Sequence, residues 1–140
     1  MATGTKHEHI DMHSGDVLAG LIEHRDPTLR RAYLDAHRLV TETLPDLAYA
    51  VDCHDGAIGY GARQHGYDNR GMAALAPFSR WVSLAFLRGA ALEEPGGLLE
   101  GSGAGVRHVK LRSPGELAAR REPLRRLLGA AARLNEEESP

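Results

Sequence analysis

The sequence predicts an α+β domain in which helices from both ends of the chain cover one face of an antiparallel sheet. Two helical patterns occupy the first third, apolar segments of strand character with glycine-rich turns fill the middle, and a helical pattern closes the chain. Separate runs of helices and strands are typical of this class. At 140 residues the chain has the usual size of one domain. We expect one domain over 14–134, with flexible tails at 1–13 and 135–140.

The first third carries two helix signals. Helical spacing of apolar residues from Val17 predicts a short helix that ends near His24. Asp26 and Pro27 then form an N-cap followed by proline at the first helical position, where the missing amide donor costs nothing. The second helix is long, because apolar residues recur at three and four until Pro45 stops the pattern.

Strand character dominates from Tyr49 onward. Val82, Leu84 and Phe86 alternate with residues that point to the opposite face, which indicates a half-buried antiparallel strand. The segment 47–51 also fits a short helix begun at Asp46, and its period does not decide between the two. Alternation and turn signals together predict strands at 49–54, 57–63, 72–75, 81–87 and 107–112.

The last third returns to helix. Residues 113–116, Ser-Pro-Gly-Glu, form a capping box with proline at the first helical position. Pro123 cannot lie inside a helix without losing a backbone hydrogen bond. We therefore expect a kink or break near Glu122 and a new helix from Leu124 to Leu134.

Composition limits the classes of protein to which the chain can belong. The net charge is −2, and no apolar run is long enough to span a bilayer. The first residues lack the apolar core of a secretory signal, and the lone Cys53 has no disulfide partner, so we expect a cytoplasmic protein. The segment 106–133 carries eight Lys or Arg against two Glu, but it has no aromatic residue on which a base could stack, and this argues against nucleic acid.

No motif predicts an enzyme. Cys53 and His54 are adjacent, and neighbours in sequence face different directions on a strand or a helix, so they do not predict a catalytic dyad. The glycine-rich segment 101–106 meets neither nucleotide-binding fingerprint. The tail histidines His7, His9 and His13 have metal-ligand chemistry, but an unfolded tail would have to be ordered to bind.

Two candidate sites remain, and each has a simpler structural reading. Asp46, Asp52 and Asp55 lie near the helix-to-sheet junction, and Glu93 and Glu94 lie in the later loop, so these carboxylates could hold a divalent cation to which His54 adds a nitrogen ligand. Solvated surface acids are the simpler explanation of the same residues. An aromatic and polar strip could instead line a pocket or pack in the core, and its residues are Tyr49, Tyr60, His65, Tyr67 and Trp81. The strip and the glycine-rich loop give the candidate ligand-binding residues Tyr60, Tyr67, Trp81, Arg107 and His108.

The region from about Leu29 to Leu134 resembles the YdhG-like family. The similarity is carried by the apolar strand that ends at Phe86, followed by Gly89-Ala90, Leu92, Pro95, Leu98-Leu99-Glu100-Gly101 and Arg107. The resemblance implies a frataxin-like sandwich of helices on one face of an antiparallel sheet, and some members are regarded as intracellular iron chaperones.

An iron role is what this resemblance implies. By position in a frataxin-like fold, the acids of the first long helix and first strand would hold Fe(II), with His54 beside them, and the metal candidates are Asp35, Glu42, Asp46, Asp52 and His54. We expect weak, open coordination through oxygen, delivery to an iron-accepting protein, and a monomer or homodimer. The alternative expectation is a small-molecule or protein-binding module that uses the aromatic strip and the loop 93–105.

Overall fold

The computed structural model describes residues 9–10, 15–61, 71–94 and 96–137. Within these ranges the chain forms helices and a six-stranded antiparallel sheet. The elements are β1 (His9–Ile10), α1 (Gly15–Leu21), α2 (Pro27–Thr43), β2 (Tyr49–Asp52), β3 (Ile58–Tyr60), β4 (Ala73–Pro77), β5 (Val82–Phe86), a 3₁₀ turn (Gly89–Ala91), β6 (Arg107–Leu111), α3 (Pro114–Ala119) and α4 (Arg121–Glu137).

The sheet is a meander in which each strand pairs with the next one along the chain. All of these pairings are antiparallel, so the predicted α+β class with an antiparallel sheet is confirmed. Residues 49–52 are a strand, which decides between the two readings of that segment. β1 pairs His9 with Asp52 inside the segment expected to be a tail, because two residues are too few for alternation to reveal a strand.

One face of the sheet carries the core. Leu84 pairs with Leu75 on one side and with Val109 on the other, and all three are fully buried. Because side chains alternate along a strand, residues in register share a face, and this face is apolar across the sheet. Buried residues of the helices, such as Leu39 and Leu128, belong to the same hydrophobic cluster. The helices therefore pack on the apolar face.

Helix α2 begins and ends where its sequence signals lie. The Asp26 carboxylate accepts hydrogen bonds from the amides of Thr28 (3.0 Å) and Leu29 (3.3 Å), and Pro27 is the first helical residue. The helix ends at Thr43, just before Pro45. Its buried residues recur at three and four along one side, so the helix lies with that stripe on the core.

The start of α3 follows the predicted cap with one difference. Ser113 Oγ accepts a hydrogen bond from the Glu116 amide at 3.1 Å, as a capping box requires. The Glu116 carboxylate, however, accepts from the amide of Arg112 at 2.7 Å, one residue before the cap. The acid thus ties the end of β6 to the start of the helix.

The break between α3 and α4 lies slightly earlier than predicted. α3 ends with Arg120 as its C-cap, and α4 begins at Arg121, whereas the break was expected near Glu122. Pro123 therefore occupies the first turn of α4, where its missing amide donor leaves no helical acceptor unsatisfied. Pro123 thus explains the boundary between α3 and α4, because proline is tolerated in the first turn of a helix but not in its interior.

None of the helices in the described ranges is both long enough and apolar enough to cross a bilayer.

Candidate functional site

The predicted metal residue Asp52 is part of a turn. It is almost fully buried, and its Oδ1 accepts hydrogen bonds from the amides of His54 (2.8 Å) and Asp55 (3.4 Å). Such side-chain acceptance from amides two and three residues ahead stabilises a chain reversal, here the one from β2 to β3. At least one oxygen of this carboxylate is therefore engaged by the turn.

The other predicted metal residues are dispersed. Asp35 is half-buried on α2, Asp46 and His54 are exposed, and Glu42 forms an ion pair with Arg121 at 3.4 Å. Across the described part of the chain, no three His, Cys, Asp or Glu side chains gather in a group that could hold a metal ion.

Tyr60 lies inside the domain, in a cluster of rings. Only 1% of it is exposed, and its hydroxyl lies 2.8 Å from His37 Nδ1. The Tyr49 ring meets His37 edge-on, with 4.8 Å between ring centroids. Burial lowers the pKa of His37 to about 4 and raises the pKa values of Tyr49 and Tyr60, so all three rings are neutral at pH 7. This cluster joins α2 to β2 and β3.

Trp81 lies on the opposite side of the sheet from Tyr60. Tyr60 is on the core face, whereas Trp81 packs against Lys110, whose Nζ lies 4.5 Å from the centroid of the indole ring. Lys110 pairs with Ser83 on the outer face, because strand side chains alternate. The alternation that predicted the strands thus places Tyr60 and Trp81 on opposite faces of the sheet. Tyr67 and His65 lie outside the described residues.

Arg107 and His108 support the glycine-rich loop. The Arg107 guanidinium donates hydrogen bonds to the carbonyls of Gly103 (2.7 Å) and Val106 (2.9 Å). The backbone of His108 exchanges two hydrogen bonds with Glu100, at 2.8 and 2.9 Å. These contacts hold the loop to β6.

Cys53 lies half-buried in the turn after β2, next to the exposed His54.

A groove that the sequence analysis did not assemble lies between α4 and the segment 93–98. It has a volume of about 480 Å³, within the range of small-molecule pockets. A second cavity, beside Phe86 and Arg88, holds only about 10 Å³, which is room for one water at most. The residues that line the larger groove are Glu93, Glu94, Gly96, Leu98, Pro123, Arg126, Leu127, Ala130 and Arg133.

Glu94 shapes the loop wall of the groove. One carboxylate oxygen accepts hydrogen bonds from the amides of Leu98 and Leu99 (3.0 Å), and the other accepts from Gly96 at 2.7 Å. A carboxylate that accepts several amide hydrogen bonds is held in one orientation, with its oxygens directed at the loop backbone. Glu94 is therefore a structural element of the loop.

Three other charges face the groove without an ion-pair partner among the described residues. Arg126 and Arg133 on α4 and Glu93 on the loop are all exposed. By contrast, Arg121 pairs with Glu42 at 3.4 Å, and Arg125 pairs with Glu122 at 3.7 Å. The arginines of α4 that line the groove thus differ from their paired neighbours outside it.

Part of this groove had a sequence signal. Arg126, Ala130 and Arg133 follow one another at spacings of four and three, which places them on one helical face beside the buried stripe. Nothing local predicts that Glu93 would face them, because the loop reaches α4 only through the tertiary fold.

Comparisons of the chain with protein-family models, with curated proteins and with solved structures find no match. The resemblance to the YdhG-like family therefore stays a prediction.

Proposed function

We propose that the protein is a binding module for a small organic ligand, which lies in the groove between α4 and the loop 93–98. The observation that carries the proposal is a groove of about 480 Å³ that combines apolar lining residues with two arginines on one wall, neither of which has an ion-pair partner among the described residues. Ligand sites combine apolar surface with a few polar groups that fix orientation. Leu98, Leu127 and Ala130 supply the first part, and Arg126 and Arg133 supply the second.

The lining favours binding over catalysis. Covalent or acid–base catalysis needs a nucleophile or a proton-transfer group beside a matched partner. The described residues that line the groove include no Ser, Cys, His, Tyr or Lys, and the carboxylate of Glu94 is engaged by loop amides. Glu93 is then a single carboxylate with no nucleophile and no second free acid among these lining residues. Arginine stays protonated and acts here as a fixed hydrogen-bond donor.

Native mass spectrometry of the protein purified from cells tests the proposal. We expect a bound mass of a small organic molecule. The substitution Ala130→Phe, which fills the groove, should abolish it. Ala118→Phe is the matched control, because Ala118 is exposed on α3 and does not line the groove. Absence of any bound mass, or a mass that Ala130→Phe retains, would contradict the proposal.

Iron binding is the second proposal, and the family resemblance is its only support. The carboxylates of Asp35 in the middle of α2, Glu42 near its end and Asp46 beyond it would provide weak oxygen ligands. An anaerobic calorimetric titration with Fe(II) tests this on a variant in which His7, His9 and His13 are alanine. Uptake of Fe(II) that falls when Glu42 and Asp46 become amides supports the proposal, and no uptake rejects it.

A further inference from the structure

The charges that face the groove define the ligand more narrowly than its size does. Two guanidinium groups, those of Arg126 and Arg133, lie on the helix wall, and one carboxylate with no ion-pair partner among the described residues, that of Glu93, lies on the loop wall. Glu94 is not counted with them, because both of its oxygens accept amide hydrogen bonds. A complementary ligand therefore carries two negative groups and one positive group.

The spacing on α4 sets the shape of this ligand. Arg126 and Arg133 are seven residues apart, which corresponds to about 10 Å along a helix axis. Ala130 lies between them on the same face, and Leu127 and Leu98 add apolar surface. Two carboxylates that reach both arginines need an apolar spacer, and this surface would cover it.

The second guanidinium lies over the preceding turn of α4. A methyl group built at Gly129 would lie 3.7 Å from Arg133 Nη1, so the Arg133 side chain extends back over this glycine. Helical side chains point toward the preceding turn, so both arginines are expected to lean the same way and to keep the separation of about 10 Å that their spacing sets. Both guanidinium groups can then serve one ligand.

On these grounds we infer that the groove binds an amino dicarboxylate with a long apolar spacer, its two carboxylates on Arg126 and Arg133 and its ammonium group toward Glu93. The inference rests on the proposed function and names the ligand class of that site. Guanidinium and carboxylate form paired hydrogen bonds in matching geometry, which makes arginine the suitable residue for this task.

Titrations followed by NMR test the inference with 2-aminosuberate, a long amino dicarboxylate, as the probe. We expect it to shift the amide signals of residues 96–99 and 126–133, and to bind more tightly than glutamate, which is too short. Arg126→Gln and Arg133→Gln should each weaken binding by about tenfold or more, because each removes hydrogen bonds between charged groups. Arg125→Gln is the matched control on the same helix and should leave binding unchanged.

Two further probes test the ammonium group and the second carboxylate of the ligand one at a time. Suberate lacks the ammonium group and 2-aminooctanoate lacks the second carboxylate, so both should bind more weakly than 2-aminosuberate. Glu93→Gln should weaken the binding of 2-aminosuberate, which loses its partner for the ammonium group, and should not weaken the binding of suberate, which has no ammonium group. Equal affinity of the three compounds, or full affinity of either arginine variant, would overturn the inference.

The two proposals fail in different ways. If 2-aminosuberate does not bind, while Ala130→Phe still removes the mass that copurifies with the protein, the ligand class is wrong and the groove remains the site. If Ala130→Phe leaves that mass in place, the groove itself is wrong.

Discussion

At the scale of single residues, the structure gives polar side chains internal tasks that their types alone do not reveal. Asp52 stabilises a turn, Glu94 organises a loop, and Arg107 holds a neighbouring loop through two carbonyls. Each of these residue types is also a common ligand-binding residue. What distinguishes the two roles is the set of backbone groups within reach, and this depends on the fold.

His37 should make stability depend on pH. Its pKa is about 4 in the folded protein, because burial disfavours the charged ring, against 6.5 when unfolded. Above pH 6.5 neither state is protonated, and stability is unaffected. As the pH falls from 6.5 to 4 the unfolded state binds the proton first, so the free energy of unfolding decreases. Because the ring is only half-buried, we expect a loss of about 1 to 2 kcal/mol.

Urea unfolding at pH 7.5 and pH 4.5 measures this effect. The variant His37→Gln cannot titrate, and its loss of stability between the two pH values should be smaller than that of the parent protein. The facing groups, Tyr49 and Tyr60, stay neutral over this range because their pKa values are raised. Identical pH dependence in the two proteins would show that His37 does not contribute.

Glu94→Gln should loosen the wall of the groove. A carboxamide presents one acceptor oxygen, and its NH₂ group would face an amide donor, so the three amide hydrogen bonds of Glu94 cannot all be kept. Because these hydrogen bonds are exposed or only part-buried, each loss should cost less than the roughly 1 to 3 kcal/mol of a fully buried unsatisfied group. The carboxamide oxygen can replace the oxygen that accepts from both Leu98 and Leu99, which leaves the Gly96 amide facing the NH₂ group. We therefore expect faster hydrogen exchange of the Gly96 amide, with Glu93→Gln as the control that leaves exchange unchanged. Unaltered exchange in Glu94→Gln would contradict the role given to this carboxylate.

At the scale of secondary-structure elements, the sequence was informative where the signals were local. Asp26, Pro27 and Pro45 bounded α2 correctly, because caps and prolines act on the adjacent turn. Alternation located β5 within one residue at each end. The segment between α3 and α4 was less predictable, since Pro123 tolerates either a kink or a helix start, and the structure contains the second.

Candidate sites were harder to predict than secondary-structure elements, because their residues come from segments that are far apart in the sequence. The aromatic strip was assembled from sequence proximity, yet alternation sends Tyr60 to the core face and Trp81 to the outer face. The groove joins Glu93 to Arg126 and Arg133, which are more than thirty residues away along the chain. Only the packing of the loop on α4 creates this neighbourhood.

Removal of the α3 cap should cost stability without changing the fold. Ser113→Ala eliminates the hydroxyl that accepts from the Glu116 amide, and such losses amount to about 1 kcal/mol. Chemical denaturation measures the difference, and Ser102→Ala in the exposed loop is the control. A free energy of unfolding equal to that of the parent protein would mean that the Glu116 carboxylate alone fixes this helix start.

At the scale of the whole molecule, core and groove should respond differently to the same kind of truncation. Leu84 is fully buried on β5, between β4 and β6, so Leu84→Ala should lower the free energy of unfolding by about 2 to 5 kcal/mol. Leu98 is only partly buried at the groove, and Leu98→Ala should cost less than half of that. Thermal denaturation compares the two variants. Equal destabilisation would indicate that the groove wall is part of the core.

The backbone exchange between Glu100 and His108 has a consequence for self-association. β6 is the last strand of the sheet, and such a border offers unpaired amides and carbonyls to any extended polypeptide. Here Glu100, which follows the loop 93–98, pairs with His108 at this edge of β6, and Lys110 adds a charge beside it. Shortening the loop would thus do more than alter recognition, because it would leave the final strand open to intermolecular β-pairing and fibrillar growth.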